Sequence, residues 1–258
     1  KSSDAYNKLN ENKDTLNFKH DLFSETDIKS LEDLEKFYAL DCDGVNFFLS
    51  DREFKALRYL REGVGNKDGF FSDGDRINSY NAYNLLKDEI PIEIVAKGVK
   101  EEVHNLGELA DLNALRGEGS SDNLTEEQKD ALIFLENGKA KGDGFSTYEG
   151  GIFGFFTHKE SINSFKALQR LNAIKNQKEN DPLIVTLSGV EFEITKIQDL
   201  LVLNALYGKD GRNSSLTQVE YDALKLLDDG GGKVLDGHLN NLFDIYQSLN
   251  KNSPIRVR

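Results

Sequence analysis

The sequence predicts a mainly α fold with short β-hairpins (α+β), built as three tandem repeats of a hairpin plus helices in a stacked array. Three observations predict it. One helical motif occurs three times, starting at Leu49 (LSDREFKAL), Leu124 (LTEEQKDAL) and Leu216 (LTQVEYDAL). The chain has only three prolines, Pro91, Pro182 and Pro254, and all fall at one position of the pattern. From Pro91 to Leu115 and from Pro182 to Leu206 the two copies align without a gap. Each copy also carries a Gly and then an Asp-Gly pair downstream: Gly63 with Asp68-Gly69, Gly138 with Asp143-Gly144, and Gly230 with Asp236-Gly237. Self-similarity of this kind marks repeat architectures, in which neighbouring units bury one another's apolar stripes. The copies run 14–90, 91–181 and 182–253. Residues 254–258 read as the first strand of a fourth copy or as a closing strand.

Each copy opens on a hairpin. In copy two, Ile92, Ile94 and Ala96 alternate with other residues, Lys97-Gly98 turns the chain, and Val99 to Val103 returns. Copy three does the same around Ser188-Gly189, and copy one has a weaker version in Leu16 to Phe18 and Leu22 to Ile28. Proline is tolerated at a first strand position because its missing N–H need not join the ladder. A first helix follows, with Leu31, Leu34, Phe37 and Leu40 at three-residue steps and Leu106, Leu109, Leu112 and Leu115 repeating them. The second helix starts at Ser50, Thr125 or Thr217, each followed three residues later by Glu53, Gln128 or Glu220. That spacing is a capping box, in which the hydroxyl and the later side chain satisfy each other's backbone amides. Gly63, Gly138 and Gly230 stand where a C′ glycine ends it. Ser72 with Asp75 and Ser146 with Glu149 then introduce a third helix, carrying Ile77, Tyr80 and either Tyr83 or Leu85 in copy one and Ile162, Phe165, Leu168 and Leu171 in copy two. Copy three offers Leu239, Leu242, Phe243, Ile245, Tyr246 and Leu249.

Composition bounds the function. Hydrophobic residues are 38% and charged residues 30%, enough apolar side chain to fold. A net charge of −13 repels phosphate backbones and anionic membranes, so no nucleic acid and no membrane insertion are expected, while cations and basic partners are favoured. No apolar run approaches the ~20 residues that span a bilayer. The lone Cys42 excludes an internal disulfide and a cysteine metal cluster, and it sits between Asp41 and Asp43, neighbours that disfavour a thiolate. His20, His104, His158 and His238 fall at unrelated positions with no metal-ligand spacing, and no nucleophile elbow or phosphate-binding loop occurs. No catalytic motif argues for an enzyme.

The acidic loops between helices carry the remaining chemistry. ALDCDGVNFFLSDREFKAL and LREGVGNKDGFFSDGD resemble EF-hand calcium loops. Calcium takes six to eight oxygen ligands, and a glycine lets the loop turn sharply around it. With Gly69 at the turn, Asn66, Asp68 and Asp75 fall at loop positions 3, 5 and 12 and Phe71 at position 8, while Val64 stands at position 1. The resemblance covers the loops only and implies calcium as cofactor. The ligand candidates it implies are Asp41, Asp43, Glu53, Asn66, Asp68, Asp75, Asp143, Glu149 and Asp236. The expected function is a calcium-binding repeat module of a secreted or surface interaction protein, part of a longer repeat chain. The start at Lys1 without Met and the abundance of extracellular calcium motivate that location. The alternative is a metal-independent scaffold for a protein partner, contacted through the aromatic pairs Phe47-Phe48, Phe70-Phe71 and Phe155-Phe156.

Overall fold

The computed structural model describes residues 2–10, 15–19, 25–42, 44–62, 79–96, 99–117, 123–137, 141–142, 162–208, 215–228 and 241–256. Among them are ten helices and three small antiparallel sheets, so the α+β class holds. The chain forms two compact units, Lys1–Leu124 and Thr125–Arg258.

The first unit contains α1 (Ser2–Asn10), β1 (Leu16–Lys19), β2 (Glu25–Ile28), α2 (Leu31–Asp41), α3 (Asp51–Glu62), α4 (Ser79–Lys87), β3 (Ile92–Ala96), β4 (Val99–Val103) and α5 (Leu106–Arg116). Strands β1 and β2 pair from Leu16 opposite Ile28 to Lys19 opposite Glu25. Strands β3 and β4 pair from Ile92 opposite Val103 to Ala96 opposite Val99. The alternation read from sequence sets which face is buried: Ile92, Ile94 and Ala96 point inward and Glu93 faces solvent. Helix α2 packs on α3 and α4, α3 packs on α5, and α4 packs on β3. The core gathers Leu9, Ile28, Leu40, Leu57, Tyr80, Leu86, Ile94, Leu109 and Leu112. Each such side chain contributes about 1.5–3 kcal/mol by leaving water. Tyr80 lies edge-on to Phe37 at 5.8 Å, and burial pushes its hydroxyl up to about 12.

The second unit contains α6 (Glu126–Asn137), β5 (Lys141–Gly142), α7 (Ser164–Lys175), β6 (Leu183–Leu187), β7 (Val190–Ile194), α8 (Ile197–Tyr207), α9 (Gln218–Asp228) and α10 (Leu242–Asn250). Its sheet runs β5-β6-β7, with Leu187 opposite Val190 across the hairpin and Gly142 opposite Val185 at the other edge. Ser188 and Gly189 both have positive φ, 53° and 86°, the signature of a type I′ turn. Strand β5 has no counterpart in the sequence reading, because a two-residue strand leaves no periodicity to detect. Helix α6 packs on α7 and α8, α7 packs on β6, and α10 packs on α8 and α9. Phe192 of β7 meets Phe243 of α10 edge-on at 5.7 Å and Tyr207 at 5.3 Å.

The expected capping boxes form at all three second helices. At α3 the Glu53 carboxylate accepts from the Ser50 amide at 3.1 Å while Glu53 N donates to Ser50 Oγ at 3.3 Å. At α6 Gln128 and Thr125 exchange the same bonds at 3.0 and 3.2 Å, and at α9 Glu220 and Thr217 do so at 2.8 and 3.2 Å. The C′ glycines Gly63, Gly138 and Gly230 lie outside the described residues, as do Ser72, Asp75, Ser146 and Glu149 and the Lys97-Gly98 turn.

Candidate functional site

The α2–α3 connection is the most distinctive surface among the described residues. It leaves α2 with two amides, those of Cys42 and Gly44, donating to the Tyr38 carbonyl at 3.1 and 2.9 Å. That close return requires glycine: a Cβ on Gly44 would stand 2.5 Å from the Tyr38 ring and 2.8 Å from its carbonyl oxygen. Asn46 then fixes the turn. Its side-chain oxygen accepts from the amides of Phe48 and Leu49 at 3.2 and 3.1 Å, and its amide group donates to the Leu49 carbonyl at 2.7 Å. The chain enters α3 through the Ser50–Glu53 box. Tied at both ends and in the middle, the loop presents Phe47 at 91% exposure, with Val45 at 69% and Tyr38 at 58%.

Phe48 points the other way. Its ring lies against Tyr83 at 5.8 Å, and the Lys36 ammonium sits 5.8 Å from both ring centres. Glu32 accepts from Lys36 at 2.6 Å. Burial pulls the Lys36 ammonium down, but the Glu32 hydrogen bond and the charges around it win, and the group ends above its ordinary value. The same bond, with the lysine charge, holds Glu32 below the usual carboxylate range. Phe48 is thus an anchor over a cation, and Phe47 is a projection. Glu35 and Asp51 are exposed on the flanking helices.

The calcium-ligand candidates divide. Asp41 is buried at the end of α2 and accepts from the amides of Ser79 and Tyr80 at 3.2 and 3.1 Å, so its carboxylate caps the start of α4. Glu53 is held in its capping box. Asp43, Asn66, Asp68, Asp75, Asp143, Glu149 and Asp236 lie outside the described residues, as do Phe70-Phe71 and Phe155-Phe156. Asp143 follows directly on β5, so that loop is entered from a strand paired to β6. Among the described residues, no group of three or more His, Cys, Asp or Glu side chains could hold a metal ion.

Several polar anchors escaped the sequence reading. The Tyr207 hydroxyl accepts from the Leu242 amide at 3.1 Å, capping α10. Arg116 ends α5. It binds Glu101 of β4 through two guanidinium nitrogens at 2.8 and 3.2 Å, with the pair 5% and 0% exposed. The start of α7 is capped by Asn163 and by Glu136 of α6, which accepts from the Ser164 amide and hydroxyl at 3.1 and 2.8 Å. Arg52 of α3 donates to Asp111 of α5 at 2.7 Å and to the Gly107 carbonyl at 2.9 Å. Burial drives Asp111 above the ordinary carboxylate value against the pull of that arginine. These partners lie 15 to 59 residues apart in sequence, and spacing alone gives no hint of them. No protein-family model matches this chain, and neither the curated proteins nor the solved structures hold a match to it.

Proposed function

We propose that this chain is a repeat-built scaffold, its hairpin-and-helix units stacked as an array, that binds another protein through the α2–α3 loop. The observation that carries the reading is the 91% exposed Phe47, fixed outward by a loop that Asn46 and Gly44 lock in place. Aromatic side chains held in water without structural need are characteristic of binding surfaces, and preorganisation lowers the entropy lost on capture. The flanking Glu35 and Asp51 and the net charge of −13 select a partner segment that is apolar and basic. The recurrence of capped helix, third helix, hairpin and first helix in both compact units supports the stacked arrangement.

The test uses Cys42, the only cysteine of the chain and exposed, to carry a fluorophore beside the loop. Titration with an amphipathic Lys/Leu peptide should give saturable binding that weakens with salt. Phe47→Ala should lose most of that binding with an unchanged Tm. A parent chain that ignores the peptide, or a Phe47→Ala variant that binds equally well, overturns the reading.

A second reading, calcium held in the acidic loops, is supported by the sequence arrangement of Asn66, Asp68 and Asp75 about Gly69. It is compatible with the first, since ions in these loops would stiffen the same helices.

A further inference from the structure

The three capped helices α3, α6 and α9 share one register, and two of them are covered by the same kind of neighbour. On α3, Arg52 reaches Asp111 and Gly107 of α5, Ala56 is fully buried, and the Tyr59 hydroxyl donates to the Arg116 carbonyl at 3.4 Å. Helix α6 packs likewise on α8, with Ala131 fully buried. In each case the covering helix is the one that follows the next hairpin.

On α9 the same register is uncovered. Val219 stands where α3 has Arg52 and is 78% exposed; Ala223 stands at Ala56 and is exposed; Leu226 stands at Tyr59 and is 60% exposed. The opposite face is normal, with Leu216 and Leu224 buried. The third helices repeat the contrast. Leu86 of α4 and Leu171 of α7 are 2% and 3% exposed, and these helices pack on β3 and β6. The matching residue of α10, Leu249, is 46% exposed. Four apolar positions on two adjacent helices thus face water, and in the earlier copies a hairpin and its helix lie against these two helices.

The segment after α10 supplies the entry. Asn252 adopts the left-handed conformation that Glu89 and Gln177 adopt after α4 and α7, and Pro254 follows as Pro91 and Pro182 do. In sequence Ile255 and Val257 align with Leu183 and Val185 of β6, and Arg256 and Arg258 align with Ile184 and Thr186. In the β6–β7 hairpin the residues across from those two positions are Glu193 and Glu191. An acidic return strand would therefore pair with two arginines.

We propose that the α9–α10 face is a docking surface for one further hairpin-and-helix unit of this kind, entered from Pro254, with an acidic return strand and an apolar helix lying on Val219, Ala223 and Leu226. The inference rests on helix register and exposure, independently of the α2–α3 loop and of calcium.

The experiment extends the full chain by a copy of its own residues 187–208 after Arg258, so that β7 and α8 are offered to the open face. Tm should rise by roughly 5 °C, a shift of the size expected when a few apolar side chains leave water in a chain this long. Amides of α9 and α10 should gain hydrogen-exchange protection. Val219→Asp and Leu226→Asp should cancel the rise in the extended chain and leave the Tm of the unextended chain unchanged, because both side chains are exposed there. Overturning results are an extension that leaves Tm unchanged, a rise that survives both aspartates, or an unextended chain that dimerises through this face and is made monomeric by Val219→Asp.

Discussion

At the level of single residues, three non-glycine side chains hold left-handed backbone at equivalent places: Glu89 at φ 56°, Gln177 at 58° and Asn252 at 55°. Each ends a third helix with paired bonds back into its last turn. At Glu89 the amides of Glu89 and Ile90 donate to Leu86 and Leu85, and at Gln177 those of Gln177 and Lys178 donate to Ile174 and Ala173. Asparagine tolerates that conformation; glutamate and glutamine are strained by their Cβ atoms. Glu89→Gly and Gln177→Gly should therefore each raise stability, by about 0.5–1 kcal/mol once the greater freedom of unfolded glycine is set against the relieved strain. The denaturant midpoint at constant slope measures it, and a lower midpoint refutes the assignment. Arg116 behaves differently. Cutting it to alanine leaves the Glu101 carboxylate buried without its guanidinium, a loss of about 3–5 kcal/mol. Replacing the pair together, Glu101→Leu with Arg116→Met, should recover most of that loss, because no buried charge then remains.

At the level of elements, the capping boxes were legible because both partners lie within four residues, and the β6–β7 hairpin because its two-residue turn, Ser188-Gly189, keeps the alternation in phase. The first-helix caps were equally local yet passed unnoticed. The Asp33, Glu108 and Asp199 carboxylates accept from the amides of Lys29, His104 and Thr195, and Ser30 and Asn105 complete the boxes of α2 and α5. The boxes also differ in charge, and that gives a pH prediction. The Thr217 amide, and then its hydroxyl, hold Glu220 below its ordinary value. A carboxylate depressed in the fold adds stability that is present above its unfolded value and is lost as pH falls through the folded one. On acidification into that window, the first amides of α9 should lose hydrogen-exchange protection. Those of α6 should keep theirs, since Gln128 carries no charge to lose. Glu220→Gln should abolish the difference; loosening of both helices together would place the acid response elsewhere.

At the level of the whole molecule, the order of elements was readable from the three motifs and three prolines, but the grouping into packed units was not. The first unit runs through Pro91 to Leu124, and α3 lies against α5, which comes after the next hairpin. Arg52 joined to Asp111 and Tyr59 joined to Arg116 link α3 to that neighbour, and no local pattern encodes these contacts. The same separation of local from distant roles makes the calcium proposal testable by comparison of variants. A ligand at one hundred times its Kd adds about 2.7 kcal/mol to a native state that alone binds it, which for a chain this long is a Tm rise of roughly 5–10 °C. Millimolar calcium should produce such a rise over chelator, and magnesium should not, because it demands a tighter octahedral site. Asp68→Ala should remove the calcium increment and leave the Tm in chelator unchanged. Asp41→Ala should do the reverse: the amides of Ser79 and Tyr80 lose their acceptor, so Tm falls in chelator, while the increment from calcium persists. A Tm that calcium and chelator leave equal would reduce Asp68 and Asp75 to turn residues and refute the calcium proposal.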